Sequence, residues 1–430
     1  MREISIYEDS RSIPLPIIPN DQRLQLASGL YDARAHYLLN NGPTHEFGEL
    51  SETQPTIRNI GWTLGNDCPF RCIHCYSFVA RERGKDMDKQ TVDRIVDQLA
   101  INSIRTVNLG GNEPLFTNGP DPRDTMLPYI IESLVNKGIA TGITTSGISV
   151  LYLYDHHKRV FNLLNDVDVS FDSPIEKEHN ANRGADLYWQ AIKLMSILQA
   201  EGKPHTAIMA GMNWNFTLPK IEALVQLAKK YDAHIRINPV KPVEPRHMLI
   251  TLPPEQYYEG FARLMELCEP VDLGEPPIAA VTSSEEAKRC PCGRTSFRIH
   301  SITPDGGIYV SPCVYLHDYK SDLDLREHDL ADIINSPQFR VFRQRNAHPE
   351  LVEGCDGCTM IDKCGGGCTA RSYLYRAHTS GEKTLLAQDP YCPVKIEHDQ
   401  SFPQNPKLQD QQLLVHADYL CTWIGKPKRN

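Results

Sequence analysis

From Thr56 to about residue 240, short apolar runs alternate with longer amphipathic stretches. This pattern restricts the chain to repeated βα units and a parallel sheet covered by helices. Strands are expected near 57–64, 104–109, 139–145, 166–171, 206–210 and 234–239. Between them Val92, Ile95, Val96 and Leu99 recur at helical spacing, as do Leu127, Ile130, Ile131 and Leu134, then Leu187, Ala191, Leu194 and Leu198, then Leu218, Ile221, Val225 and Ala228. Six such units make a partial barrel. The expected class is therefore α/β, a partial (βα)6 TIM-type barrel, with functional residues at the C-terminal ends of the strands.

The chemistry-bearing motifs fall at those ends. Cys68-Pro-Phe-Arg-Cys72-Ile-His-Cys75 follows the first strand and Gly110-Gly111-Asn112-Glu113-Pro114 the second, while Thr145-Ser146-Gly147 ends the third and Ser170-Phe171-Asp172 the fourth. Three thiolates in one loop leave a tetrahedral set incomplete. A structural zinc site wants four closed ligands, whereas three cysteines on a [4Fe-4S] cube leave one iron open to chelate a small molecule by its amine and carboxylate. Zinc, or an ordinary ferredoxin-like loop, is the alternative reading of the triplet alone.

The C-x3-C-x2-C spacing, with the ring of His74 just before the last thiolate, resembles the radical S-adenosylmethionine enzymes. That resemblance implies an open (βα)6 barrel and a cluster that reduces bound S-adenosylmethionine to release a 5′-deoxyadenosyl radical; the protein's share is binding, orientation and exclusion of water. Gly110 to Pro114 resembles the family's Gly-Gly-Glu-Pro turn, with Asn112 either inserted or standing in for a glycine, since Asn tolerates positive φ. The resemblance further implies that Ser146, Ser170 and Arg183 meet the ribose or methionyl end, and that His74 and Ile235 flank the adenine. An arginine suits a carboxylate because its planar fork binds bidentately.

A second cysteine-rich region follows. Cys355-x2-Cys358-x5-Cys364-x3-Cys368 is succeeded by Cys392 and preceded by Cys290, Cys292 and Cys313. Spacing alone leaves zinc and iron-sulfur open, since tetrahedral thiolate sites suit either. The pattern resembles the SPASM extension of the same superfamily, which implies two auxiliary clusters and three [4Fe-4S] clusters in all. By position, one would take Cys290, Cys292, Cys313 and Cys368 and the other Cys355, Cys358, Cys364 and Cys392. The first is closed only if both Cys290 and Cys292 bind, with one proline between them. Cys268 and Cys421 fall outside these groups and are taken as ordinary residues.

These features divide the chain into an N-terminal extension (1–55, with a helix near Asp21 to Leu39), the barrel (56–270), the auxiliary-cluster domain (271–395) and a helical tail (396–430) carrying Leu413, Leu414, Tyr419 and Trp423. Forty-five basic against 54 acidic residues give a net charge of -9, so nucleic acid has no electrostatic footprint to use. No apolar run of membrane-spanning length or signal-peptide type is present, and a cytoplasmic protein is expected. Thirteen cysteines in such a chain read as metal ligands rather than disulfides.

Enzymes of this double architecture mostly modify a ribosomally made peptide or protein, so the resemblance implies peptide maturation, driven by a reductant such as flavodoxin or ferredoxin. The 1–55 extension is short for a recognition module, and delivery of the peptide by a separate recognition protein or by groove contacts on the barrel is expected. Val314 stands where the sulfatase-maturing branch relies on an aspartate directly after its cysteine, which disfavours that branch. Asp172, Tyr315, His317 and Asp318 are unranked candidates for a proton acceptor. A small-molecule substrate in cofactor or antibiotic biosynthesis is the second reading, and a non-catalytic zinc scaffold the third.

Overall fold

The computed structural model describes residues 50–52, 55, 57–78, 86–282, 289–396, 402–408, 414–415, 417 and 419–429. The expected helix at 21–39, and Leu413, lie outside them. Two compact units are distinguished, residues 1–41 and Gly42–Asn430, and everything below concerns the second.

Six strands form where the alternation expects them: β1 (Asn59–Leu64), β2 (Thr106–Gly111), β3 (Ala140–Thr145), β4 (Asp166–Ser170), β5 (His205–Gly211) and β6 (His234–Pro239). They pair in parallel in chain order, for example Asn59 with Thr106 and Thr206 with His234. Their outward residues pack under the connecting helices. Val92, Ile95, Val96 and Leu99 of the helix Lys89–Ile101 are buried, as are Leu127, Ile130, Ile131 and Leu134 of Leu127–Asn136. Each such side chain contributes about 1.5–3 kcal/mol when fully buried. Leu218, expected on the core face of its helix, begins the helix Leu218–Lys230 and is exposed.

Four further strands extend the sheet: β7 (Cys268–Leu273), β8 (Ser296–Ile299), β9 (Val310–Ser311) and β10 (Trp423–Pro427). The full order is β7-β10-β6-β5-β4-β3-β2-β1-β8-β9. The first strand of the cysteine-rich region, β8, lies parallel to β1, and β8 and β9 form the expected hairpin. Its turn closes through the Gly306 amide donating to the Thr303 carbonyl at 2.8 Å.

The tail departs from expectation. Instead of a helix, residues 423–427 form β10, antiparallel to both β6 and β7. Trp423 is fully buried in the core on a strand that fills the sheet between β6 and β7, and Leu414 and Tyr419, outside that strand, are buried as well. Among the described residues no helix is long and apolar enough to cross a membrane.

Candidate active site

The cysteine loop leaves β1 at Gly65, whose φ is +79°, and is fastened by short-range turns: the Cys68 amide donates to Gly65 O at 3.0 Å and the Cys75 amide to Cys72 O at 3.2 Å. A longer contact, Ile73 N to Asn182 O at 2.9 Å, ties it to the helix Glu176–Arg183 that follows β4. Cys68, Cys72 and Cys75 all face one cleft of about 1140 Å³, including its open mouth. Burial pushes the Cys72 thiol up to about 12, against the opposing pull of Arg183, while Cys75 and Cys68 add to the rise. A Cys72 thiol this reluctant to ionise unaided is a poor free nucleophile, and a bound metal would enforce its deprotonation.

At the end of β2 the left-handed residue is Gly111 (φ +91°); Asn112 does not adopt positive φ. A Cβ on Gly111 would lie 1.8 Å from Arg298 Nη2, so the glycine is required both by backbone and by space. Asn112 instead accepts from Ser77 Oγ at 2.8 Å, bracing the cysteine loop. Glu113 is buried and accepts from the amides of Ser146 (2.8 Å) and Ser149 (3.1 Å) and from the hydroxyls of Thr145 and Ser149. It therefore shapes the β3 turn. Ser146 Oγ is left buried with no partner and faces the cleft.

Arg183 reaches the cleft from the helix Glu176–Arg183. Its Nε lies 2.6 Å from Asp172 Oδ2 and its Nη1 3.9 Å from Cys72 Sγ. Asp172 also accepts from Asn182 Nδ2 at 2.8 Å and from the Ala210 amide at 3.2 Å. Burial acts to raise its pKa, but Arg183, then His74 and His179, outweigh it and hold the carboxyl well below the usual range. His74 shares Asn182 at 3.0 Å, and burial keeps it below its ordinary value against the pull of Asp172.

Among the four candidate proton acceptors only Tyr315 lines the cleft. Burial, with Tyr76 and Cys313 adding to it, keeps its phenol protonated. Asp172 is locked as described, His317 Nε2 lies 3.0 Å from the Tyr76 carbonyl, and Asp318 accepts from Tyr373 at 3.0 Å.

His74, Gly110, Gly111, Asn112, Glu113, Ser146, Ser170 and Arg183 line the cleft together. Ile235 does not. On β6 side chains alternate, so Ile235 and Ile237 join the outer core while Arg236 and Asn238 face inward. Sequence reasoning missed Arg236, Lys241 and Arg298, three buried cations of the inner wall. Arg236 binds Asp168 at 3.0 Å but leaves Nε and Nη2 unpartnered; Arg298 binds Thr63 and Tyr419 (3.2 Å) but leaves Nη2 unpartnered. Unpaired buried donors are costly, and these face the cleft with Ser146 Oγ and Asn238 Oδ1. Such a lining suits polar ligands that carry carboxylate groups. The signal was present in His-Ile-Arg-Ile-Asn-Pro, an inward polar series alternating with outward isoleucines.

The remaining cysteines differ in burial, and Cys421 joins the more buried of them. Cys355, Cys358, Cys364 and Cys392 form a half-buried group; burial pushes Cys364 up to about 12, with Asp389, Cys392 and Cys355 adding to the rise. Cys290, Cys292, Cys313 and Cys368 are buried in a separate apolar cluster, which also contains Cys421. Cys421 is thus no ordinary isolated residue, whereas Cys268 sits in the outer core. Among the described residues no group of three or more His, Cys, Asp or Glu side chains is set to hold a metal ion. An iron-sulfur cube takes its thiolates at separate iron corners rather than round one ion, and grouped thiols are the chemistry such a cube requires.

The radical SAM superfamily model matches residues 62–230, and the SPASM iron-sulfur cluster-binding domain model residues 290–359. Mycofactocin maturase MftC of Mycobacterium ulcerans (strain Agy99) is 22% identical over 362 residues, covering 79% of this chain and 93% of that protein. PqqA peptide cyclase of Methylobacterium nodulans is 22% identical over 401 residues, covering 87% and 96%. In fold the chain is similar to Streptococcus suis SuiB bound to precursor peptide SuiA, with a TM-score of 0.54 at 17% identity over 90% of this chain and 84% of that one. It is likewise similar to anSMEcpe with bound AdoMet and Kp18Cys peptide, with a TM-score of 0.58 at 15% identity over 79% and 95%. A cysteine triplet at the mouth of a partial barrel and a separate buried cysteine domain agree with both matches: the chain is a radical SAM enzyme with a C-terminal SPASM domain, related to peptide maturases.

Proposed function

We propose that this enzyme modifies a side chain or terminus of a ribosomally made peptide. Cys68, Cys72 and Cys75 hold the cluster that binds S-adenosylmethionine, and two auxiliary clusters sit in the C-terminal domain. When bound, these groups supply a 5′-deoxyadenosyl radical that abstracts hydrogen from the substrate. The chain's residues do the rest. Glu113 fixes the Ser146 turn, Ser146 and Ser170 offer hydroxyls to the cofactor, and Arg183 presents its charge beside Cys72. Arg236, Lys241 and Arg298 face the remaining space and suit an acidic group on the peptide. Tyr315, kept protonated, donates a hydrogen bond rather than taking a proton.

The observation that carries this reading is the single cleft in which three thiols meet unpartnered guanidinium and hydroxyl groups. Relatives named for peptide maturation span most of their own length in the match, which favours a peptide over a small molecule. The test is anaerobic turnover with dithionite or reduced flavodoxin. The parent should release 5′-deoxyadenosine and change the mass of a leader-bearing peptide encoded beside it. Replacing Cys68, Cys72 and Cys75 by alanine should abolish both while iron in the C-terminal domain persists. Arg236→Met should uncouple them, leaving 5′-deoxyadenosine formation but little peptide product; retained peptide turnover in that variant would remove the acidic-group assignment.

A further inference from the structure

Five buried thiols, not four, gather in the first auxiliary site. Cys421 lies within hydrogen-bonding reach of both Cys290 and Cys368, and Cys292 within reach of both Cys290 and Cys313. All five belong to one buried cluster with Tyr315, Leu316 and Phe342. Cys421 arrives there two residues before β10, held by Lys241 Nζ donating to its carbonyl at 3.1 Å. Its neighbours Tyr419 and Leu420 line the cleft, and the ring of Tyr419 enters the barrel only because Gly61 has no Cβ.

A cube has four irons, and five buried thiols lie together where four corners are to be filled. Cys290 and Cys292 are separated by Pro291 alone, so both reaching separate corners demands a sharp local fold. Cys421 comes from a different segment and approaches from the side of Cys368. We propose that Cys421 is a direct ligand of the first auxiliary cluster, filling a corner alongside Cys313, Cys368 and one thiol of the Cys290–Cys292 pair. The C-terminal strand, the cluster and the cleft wall are then one connected unit. The inference rests on iron-sulfur binding by the SPASM domain and is independent of what the substrate is.

The experiment uses the full chain carrying the Cys68, Cys72 and Cys75 to alanine replacements, so that only auxiliary clusters report. Iron and sulfide are counted and EPR and Mössbauer spectra recorded after anaerobic reconstitution, with Cys421→Ser, Cys421→Ala, Cys290→Ala, Cys292→Ala and, as an equally buried control, Cys268→Ala. Serine keeps the volume and offers oxygen, so the protein stays folded. Cys421→Ser should shift the spectrum of one cluster, Cys421→Ala should lose about half of the auxiliary iron, and Cys268→Ala and one of the Cys290 and Cys292 variants should match the parent. The proposal is overturned if Cys421→Ser is spectroscopically identical to the parent with full iron, or if Cys290→Ala and Cys292→Ala both lose the cluster. A parent without auxiliary iron would overturn the iron-sulfur reading itself, and this inference with it.

Discussion

Arg183 joins a carboxylate to a cluster thiol: its Nε is 2.6 Å from Asp172 Oδ2 and its Nη1 3.9 Å from Cys72 Sγ, in a pocket nearly closed to water. Removing one partner of such a pair leaves the other charge buried, which costs about 3–5 kcal/mol. Arg183→Gln should therefore lower the stability of the apoprotein by that order and weaken S-adenosylmethionine binding. Adding Asp172→Asn should restore part of the stability but not the binding. Anaerobic urea titration and calorimetric binding separate the two effects; stability unchanged in Arg183→Gln would show that the pair contributes nothing net.

Gly111 and Gly119 both have positive φ, +91° and +85°, but a Cβ on Gly111 meets Arg298 and Thr63 whereas one on Gly119 meets nothing within 4 Å. Alanine at Gly119 should cost only the backbone term, about 1–2 kcal/mol. Alanine at Gly111 should cost more and also displace Arg298 from the cleft. The check is paired unfolding and peptide turnover, with Gly119→Ala retaining activity and Gly111→Ala losing at least tenfold. Equal behaviour of the two would mean Arg298 yields without consequence.

His179 is buried against Phe171 and Tyr188, and its Nδ1 accepts from the Asp172 amide at 3.2 Å. Burial first, and Arg183 second, lower its pKa to about 4 from an ordinary 6.5. The unfolded chain then binds more protons than the folded one between those values. Stability is fully present above pH 6.5, falls as pH drops toward 4, and changes by on the order of 3 kcal/mol across that window. His179→Gln should be less stable at pH 7.5 and should flatten the profile. Urea midpoints from pH 7.5 to 4.5 test this, and an unchanged slope in the variant would exclude His179 as the group responsible.

Asp389 connects the two auxiliary sites. Its carboxylate takes Arg371 at 2.7 and 2.8 Å and the amides of Cys368 (2.8 Å) and Tyr391 (3.0 Å), while Arg371 also pairs with Glu275. Cys368 is in the first proposed site, and Cys392, three residues beyond Asp389, in the second. Asp389→Ala should cost about 3–5 kcal/mol and reduce iron at both sites together. Arg371→Met should act in the same direction. Iron counted by cluster-resolved Mössbauer spectra would decide, and loss from one site alone would contradict the shared anchor.

The barrel was legible because βα repetition is local: each strand is a run such as Asp-Val-Asp-Val-Ser whose pattern is complete within five or six residues. The thiol triplet and the Glu113 turn were legible for the same reason. Ile235 was misplaced because a family position was carried over without asking which parity of β6 faces inward; the polar residues of that strand answer it. Asn112 was left open between an insertion and a stand-in for a glycine, because residue preference shows which residue tolerates positive φ, not which one adopts it; Gly111 adopts it. Cys421 could not be grouped from spacing, since more than fifty residues separate it from Cys368 and only the pairing of β10 with β6 and β7 brings it home.

That pairing also sets an order of events during synthesis. β1 to β6 can associate as they emerge, because each neighbour in the sheet is the next strand in the chain. The join between β6 and β7 waits for β10, and its closure spans a long loop, which slows folding. Until residues 419–427 have left the ribosome, the cleft lacks Tyr419, the fifth thiol is absent, and one side of the sheet is an unpaired edge. Iron delivered earlier would meet a cleft wall without Tyr419 and a thiol cluster without Cys421.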